Sequence, residues 1–295
     1  MAAAGMLEFV QAAIRHNVEE AHRRLRWGTP EAKMIVYPVV VYWTVACFYG
    51  LLDRLRLPLT ERWKVVRREE KGRPNPIDVP FVIKRVLLQH AIQVAFNIGF
   101  VYADPHACDA DSSVRLVAKG ARFVVGMFVM DTWQYWIHRW AHTNTWLYKH
   151  VHSVHHQLNH VYAYGALYNS PVEALLLDVL GGLVTFLAAS LTCDTATLLF
   201  CFATCKTVLD HCGYRFPINP LHDLFPNSSA YHDVHHDTRY IKRNFSQPFF
   251  THWDWLLGTF MDPADVHLQP AEVAANVKAG LTLDGKKKTE SKKQK

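Results

Sequence analysis

Three short histidine clusters carry the chemistry this chain could do: HRWAH at 138–142, HSVHH at 152–156 and HDVHH at 232–236. They lie in a stretch, His138 to His236, that holds twelve of the eighteen histidines. His138 and His142 are four apart; His152, His155 and His156 fall at i, i+3 and i+4, as do His232, His235 and His236. On helices, that spacing predicts that each cluster turns all its imidazoles to one face. Imidazole is a common ligand for iron, zinc and copper. Composition alone gives one HxxHH with a probability of about 0.06 and two with a probability of about 0.002, so chance explains the pair poorly. A catalytic zinc takes about three protein ligands and a structural one about four. Eight clustered imidazoles therefore predict two ions with open positions.

What is missing narrows the reaction. HRWAH lacks the glutamate of HExxH, so a zinc protease would have no general base there. The Glu-x-x-His pairs of soluble di-iron bundles are missing too. Both absences point away from hydrolysis and toward oxidation of a lipid chain by iron and oxygen. The net charge of +6 comes from local basic runs, and no aromatic-plus-basic reader motif accompanies them, so nucleic acid is not expected. None of the six cysteines forms CxxC, which argues against a zinc knuckle or a disulfide framework.

The elements that must position these clusters read as an all-α membrane bundle of about four to five apolar crossing segments, with the two-metal site facing the cytosol. An amphipathic N-terminal helix without a cleavable signal pattern comes first. Met34 to Leu52 is uncharged and long enough to cross a bilayer core. The basic stretch 53–85 follows, and then the apolar block Val86 to Ala103, in which Gln89, Gln93 and Asn97 form an inward-facing polar stripe. After an acidic connection, a third block from about Lys119 to Ile137 runs into His138. Asp131 shares a face with His138 there, so it either orients a ligand histidine or makes a helix-end hydrogen bond. Ala174 to Leu191 and Thr195 to Leu209 form a hairpin interrupted by Asp178 and Lys206, both expected to face inward. With 53–85 cytosolic under the positive-inside tendency, an even number of crossings separates the clusters, and all three meet on the cytosolic side. Cys108 and Cys193 then both lie in the lumen, where a disulfide between them is conceivable.

HRWAH, HSVHH and HDVHH together resemble the histidine boxes of the fatty acid hydroxylase (sterol desaturase) superfamily of membrane di-iron enzymes. GALYNSPVE at 165–173, KTVLDHCGY at 206–214 and NFSQPFFTHWDWLLGT from 244 are similar, more narrowly, to the sphinganine C4-hydroxylases within it. The likeness covers roughly 120–262. It implies a hydroxylase domain over 119–262, preceded by the N-terminal helix and first membrane helices in 1–118 and followed by a disordered basic tail in 263–295. The ligand set it implies is His138, His142, His152, His155, His156, His211, His232, His235 and His236, with Asp131 and Asp210 supporting them from behind. The family pattern has histidine where this chain has Ser170, so either His160 or His222 serves as a tenth ligand, a water bridges, or activity is reduced.

The implied reaction is C4 hydroxylation of sphinganine or its ceramide, with two non-haem irons, O2, and electrons from NADH through cytochrome b5 and its reductase. No cytochrome b5 domain fits in the thirty-three residues before the first apolar block. The donor is therefore expected to be a separate protein, docking on a basic surface that includes Arg67, Arg68 and Lys71. Lys292 and Lys293 resemble a dilysine signal for retrieval to the endoplasmic reticulum. A homo-oligomer, or a complex with other sphingolipid enzymes, is compatible with this reading. A sterol or sphingolipid desaturase on the same scaffold, or a non-catalytic metal-binding membrane protein, remains the alternative.

Overall fold

The structure, a computed structural model, describes residues 2–68, 75–109, 113–283 and 285–286; Lys71, Lys292 and Lys293 lie outside them. It is helical, and no strand occurs among the described residues, only two isolated bridges. Helix α1 spans Ala2–Arg24 and α2 Pro30–Leu55, four residues earlier than the uncharged run suggests. The earlier start follows from Thr29, whose hydroxyl accepts the Ala32 N–H, and from Pro30 in the first turn. Helix α3 spans Val79–Ala103, capped by Asp78, and α4 spans Leu116–Thr143. The hairpin is α5, Pro171–Ala188, and α6, Cys193–Asp210, capped by Ser170 and Thr192. The short α7, Ser229–His236, carries the last cluster.

Three of these, α2, α3 and α5, are long and apolar enough to cross a membrane. Val40, Phe48, Leu51, Leu87 and Leu88 project outward from α2 and α3, where water would penalise them and lipid would not. Inside, one core joins Tyr42, Tyr168, Val208 and Tyr214, and another joins Met127, Met130, Leu191 and Leu199. Gly126 lets α4 approach α6 closely, since a Cβ there would stand 2.7 Å from Leu199 Cδ2.

The two ends of the bundle differ in chemistry. At one end Cys108 and Cys193 are joined in a disulfide, and Arg24 pairs with Asp109 at 2.5 Å. The other end gathers the C-terminus of α4, the turn after it, the C-terminus of α6, and α7. Helix α6 separates the two ends by about 27 Å at 1.5 Å per residue.

Two expectations fail outside the helices. The stretch after α2 is stitched to the histidine end: Val65 N–H donates to Gly213 O, and Arg68 N–H to Val266 O. Arg67 is buried and bonds Asp233 and the carbonyl of Asn159, so it belongs to the scaffold and not to a docking surface. The expected disordered tail also starts too early at 263, because Pro263–Val266 and α8, Pro270–Lys278, are helical and bury Val266, His267 and Val273.

Candidate metal centre

The nine histidines implied by the family resemblance converge in two groups. His138, His142, His152, His156 and His235 form one; His155, His211, His232 and His236 form the other. Within each, the candidate ligand atoms all lie within 4.8 Å of one another. The clusters do not map one to a group, as a shared face would require. HRWAH lies in α4 and HDVHH in α7, both α-helical, whereas His152–Gln157 is a 3-10 turn. In each HxxHH the first and last histidines enter one group and the middle one crosses to the other. On an α-helix, residues at i+3 and i+4 straddle residue i and point about 100° apart. One HxxHH can therefore face two ions at once.

Hydrogen bonds decide which ring nitrogen is free. Nδ1 of His138 lies 2.8 Å from Phe245 O, that of His235 2.7 Å from Arg243 O, and that of His155 3.2 Å from Tyr168 O. Nδ1 of His211 and of His236 each lie 2.8 Å from a carbonyl, Thr207 O and Leu158 O. His152 Nδ1 faces the Glu173 carboxylate at 2.5 Å. These acceptors require N–H at Nδ1, so a neutral ring presents a bare Nε2 lone pair. Burial keeps the rings neutral: it pushes the His152 imidazole down to about 3 and that of His211 to about 4. His155, His156, His232, His235 and His236 are held well below the usual histidine range by burial and by one another.

Lone pairs so placed repel unless a cation lies between them. Among the rings so fixed, Nε2 of His138 stands 3.2 Å from that of His152, and Nε2 of His236 stands 3.1 Å from that of His155. Two nitrogens bound cis to one ion, at bonds of about 2.1 Å, are separated by about 3.0 Å. Nε2 of His211 and of His235 are buried without a hydrogen-bond partner. Spacing, charge state and orphaned nitrogens all fit metal ions.

Other expected site residues take other places. Asp131 accepts the backbone N–H groups of Phe249 and Phe250, at 3.1 and 2.7 Å, and so fixes a loop instead of a ligand ring. Asp210 pairs with Lys206 at 2.5 Å, while His211 beside it turns to Thr207 O. His160 and His222 join neither group; His222 bonds Asn219 and lies 3.5 Å from Asp210. Ser170 is a helix cap, its hydroxyl accepting the Glu173 N–H at 3.2 Å.

Two residues that sequence reasoning passed over matter here. Glu173 is a carboxylate at the start of an apolar block, a signal available in the sequence. Asp233, inside HDVHH, bonds Arg67 and His267; burial works against its charge, yet Arg67 and His267 hold it well below the usual carboxylate range.

A cavity opens from this centre into the bundle. His138, His152, His155 and His211, drawn from both groups, line it at one end, and Phe100, Phe186 and Phe200 line it toward the disulfide end. Gln93 and Asn97 also line it, as their spacing predicts.

Fold and site together define a helical membrane protein with a buried, all-histidine non-haem metal site. The sequence profile of the fatty acid hydroxylase family matches residues 123–259. The chain is 45% identical over 226 residues to very-long-chain aldehyde decarbonylase GL1-9 of Oryza sativa, covering 76% of this chain and 86% of that one. It is 44% identical over 228 residues to sphinganine C4-monooxygenase 1 of Arabidopsis thaliana, covering 77% and 86%. Over 247 residues it is 39% identical to sphingolipid C4-hydroxylase SUR2 of Saccharomyces cerevisiae, covering 76% and 70%. The chain belongs to the fatty acid hydroxylase family. No solved structure matches it.

Proposed function

We propose that this chain hydroxylates the fourth carbon of a sphingoid base, sphinganine or its N-acyl form, and releases the 4-hydroxy product, phytosphingosine or phytoceramide. The observation that carries the reading is the pair of histidine groups at the end of a cavity that runs into the bundle between apolar side chains such as Phe100, Phe186 and Phe200. Similarity to C4-hydroxylases from a plant and a yeast selects the substrate class. The reaction takes up O2, two electrons and two protons; one oxygen atom enters the C–H bond and the other leaves as water.

Two irons held by the nine histidines would supply the activation of O2 and the removal of hydrogen from an unactivated carbon. The protein does the rest. Glu173 and the carbonyls behind six of the nine rings, His138, His152, His155, His211, His235 and His236, fix their tautomers, so Nε2 is their ligating atom. Phe100, Phe186 and Phe200 give an apolar wall to the alkyl chain and exclude water from it. Electrons come from NADH through a separate cytochrome b5. The disulfide end suits an oxidising lumen, which favours the endoplasmic reticulum with the histidines toward the cytosol.

Sphingoid bases from cells lacking C4-hydroxylase, with the chain or its His155→Ala variant, test the reaction. Trihydroxy bases should appear with the wild type and not with the variant. A 4,5-double bond would favour a desaturase instead. Loss of long-chain aldehyde without trihydroxy bases would favour the activity named for the rice relative.

A further inference from the structure

One polar cluster in the cavity is unused by the metal centre. Asp178 lies on α5, just past Glu173, within a π-helical turn over Ala174–Val179. In an α-helix, residues five apart diverge by about 140°. A π turn, closed by i→i+5 hydrogen bonds, stacks such residues instead, and so brings Asp178 toward the Glu173 side. Gln89 Nε2 donates to Asp178 Oδ2 at 2.6 Å, and Asn169 Nδ2 lies 3.4 Å from the same oxygen. Among the described residues, no donor reaches Oδ1, and Asp178 lines the cavity together with Asn169, His152 and His155. Close by, Gln89 Oε1 and His90 Nδ1 are buried without partners. Among the described residues no cationic side chain pairs with this carboxylate; its hydrogen-bond partners are neutral amides, and the nearby Glu173 carboxylate opposes its charge. A carboxylate so enclosed is costly until a cationic ligand compensates it.

We infer that Asp178, positioned by Gln89 and Asn169, binds the protonated amine of a long-chain base and thereby sets which carbon meets the histidines. The inference rests on the proposed reaction, because the distances come from its substrate. In a 2-amino-1,3-diol the amine is on the second carbon and the reacting carbon is the fourth, so the nitrogen lies about 3 to 4 Å from the reacting carbon. A group that reads the amine must therefore stand beside the metal centre, as Asp178 does, one turn from the carboxylate that holds His152. The amides of Asn169 and Gln89 offer partners to the hydroxyl groups. Asp178 is a specificity and positioning residue; the proton stays on the amine throughout.

The test is equilibrium binding of radiolabelled sphinganine and of N-acetylsphinganine to the metal-loaded full chain in nanodiscs, for wild type, Asp178→Asn and Asp178→Glu. Asn keeps the shape and an acceptor for Gln89 but removes the charge. Asp178→Asn should weaken sphinganine binding at least about tenfold and N-acetylsphinganine less than about twofold, with Asp178→Glu partly restoring the preference. Equal weakening of both ligands, or no change in either, would overturn the assignment. Turnover on the same preparations separates this inference from the reaction. C4 hydroxylation with binding indifferent to Asp178 removes the headgroup site and leaves the reaction standing. Asp178-dependent binding without hydroxylation supports the amine site and removes the reaction.

Discussion

Glu173 shows how a single side chain sets the state of the metal centre. Its carboxylate faces Nδ1 of His152 at 2.5 Å, and both groups are buried. The remaining fixed rings rely on backbone carbonyls, which mutation cannot remove, so Glu173 is the one place where a tautomer can be released by a side-chain change. Glu173→Gln can donate as well as accept, and it permits His152 to turn Nε2–H toward its neighbours. Metal affinity of the first group should fall by about 10- to 100-fold, read by titration with a competing chelator, while helical content stays unchanged. Unaltered affinity would show that the carboxylate does not orient the ring. Eight of the nine histidines were legible because type and spacing are local properties, and His211, single in DHCGY, was reached only through the family resemblance. The roles of Asp131 and Ser170 were not, because both depend on which backbone N–H folds back against them.

The elements were legible in kind and order, since unbroken apolar runs and capping residues are written locally. The division of each HxxHH between two groups was not legible. It follows from how the 3-10 turn over His152–Gln157 and helix α7 face one another, which is a tertiary relation. Helix α7 is held in that position by Asp233, whose carboxylate receives Arg67 Nε at 2.7 Å and lies 2.9 Å from His267 Nε2. Three remote segments thus meet behind one cluster. Arg67→Ala leaves a buried carboxylate uncompensated and should cost about 3 to 5 kcal/mol of stability. The check is thermal unfolding of the full chain in detergent; a shift no larger than that of Arg68→Ala, whose ion pair is exposed, would contradict the role given to Arg67.

At the scale of the whole molecule, the bundle separates an oxidised end from a metal-binding end. The positive-inside argument and the disulfide reach the same orientation from independent chemistry, one from lysine and arginine in 53–85 and the other from Cys108–Cys193. The ion pair of Arg24 with Asp109 further places the end of α1 beside the disulfide loop, despite the basic residues that would draw it to the other side. A glycosylation acceptor inserted at 105–107 should be modified in cells, and one inserted after Lys278 should not. The reverse pattern would invert the topology.

The central claim is that oxygen from O2 enters the fourth carbon of a sphingoid base at this histidine centre. Membranes containing the full chain, supplied with sphinganine, NADH, cytochrome b5 and its reductase under 18O2, test it by mass spectrometry of the product. One 18O atom at the fourth carbon, absent with His155→Ala, is the predicted result. A product labelled from water, a product carrying a new double bond and no added oxygen, or no product at all would contradict it.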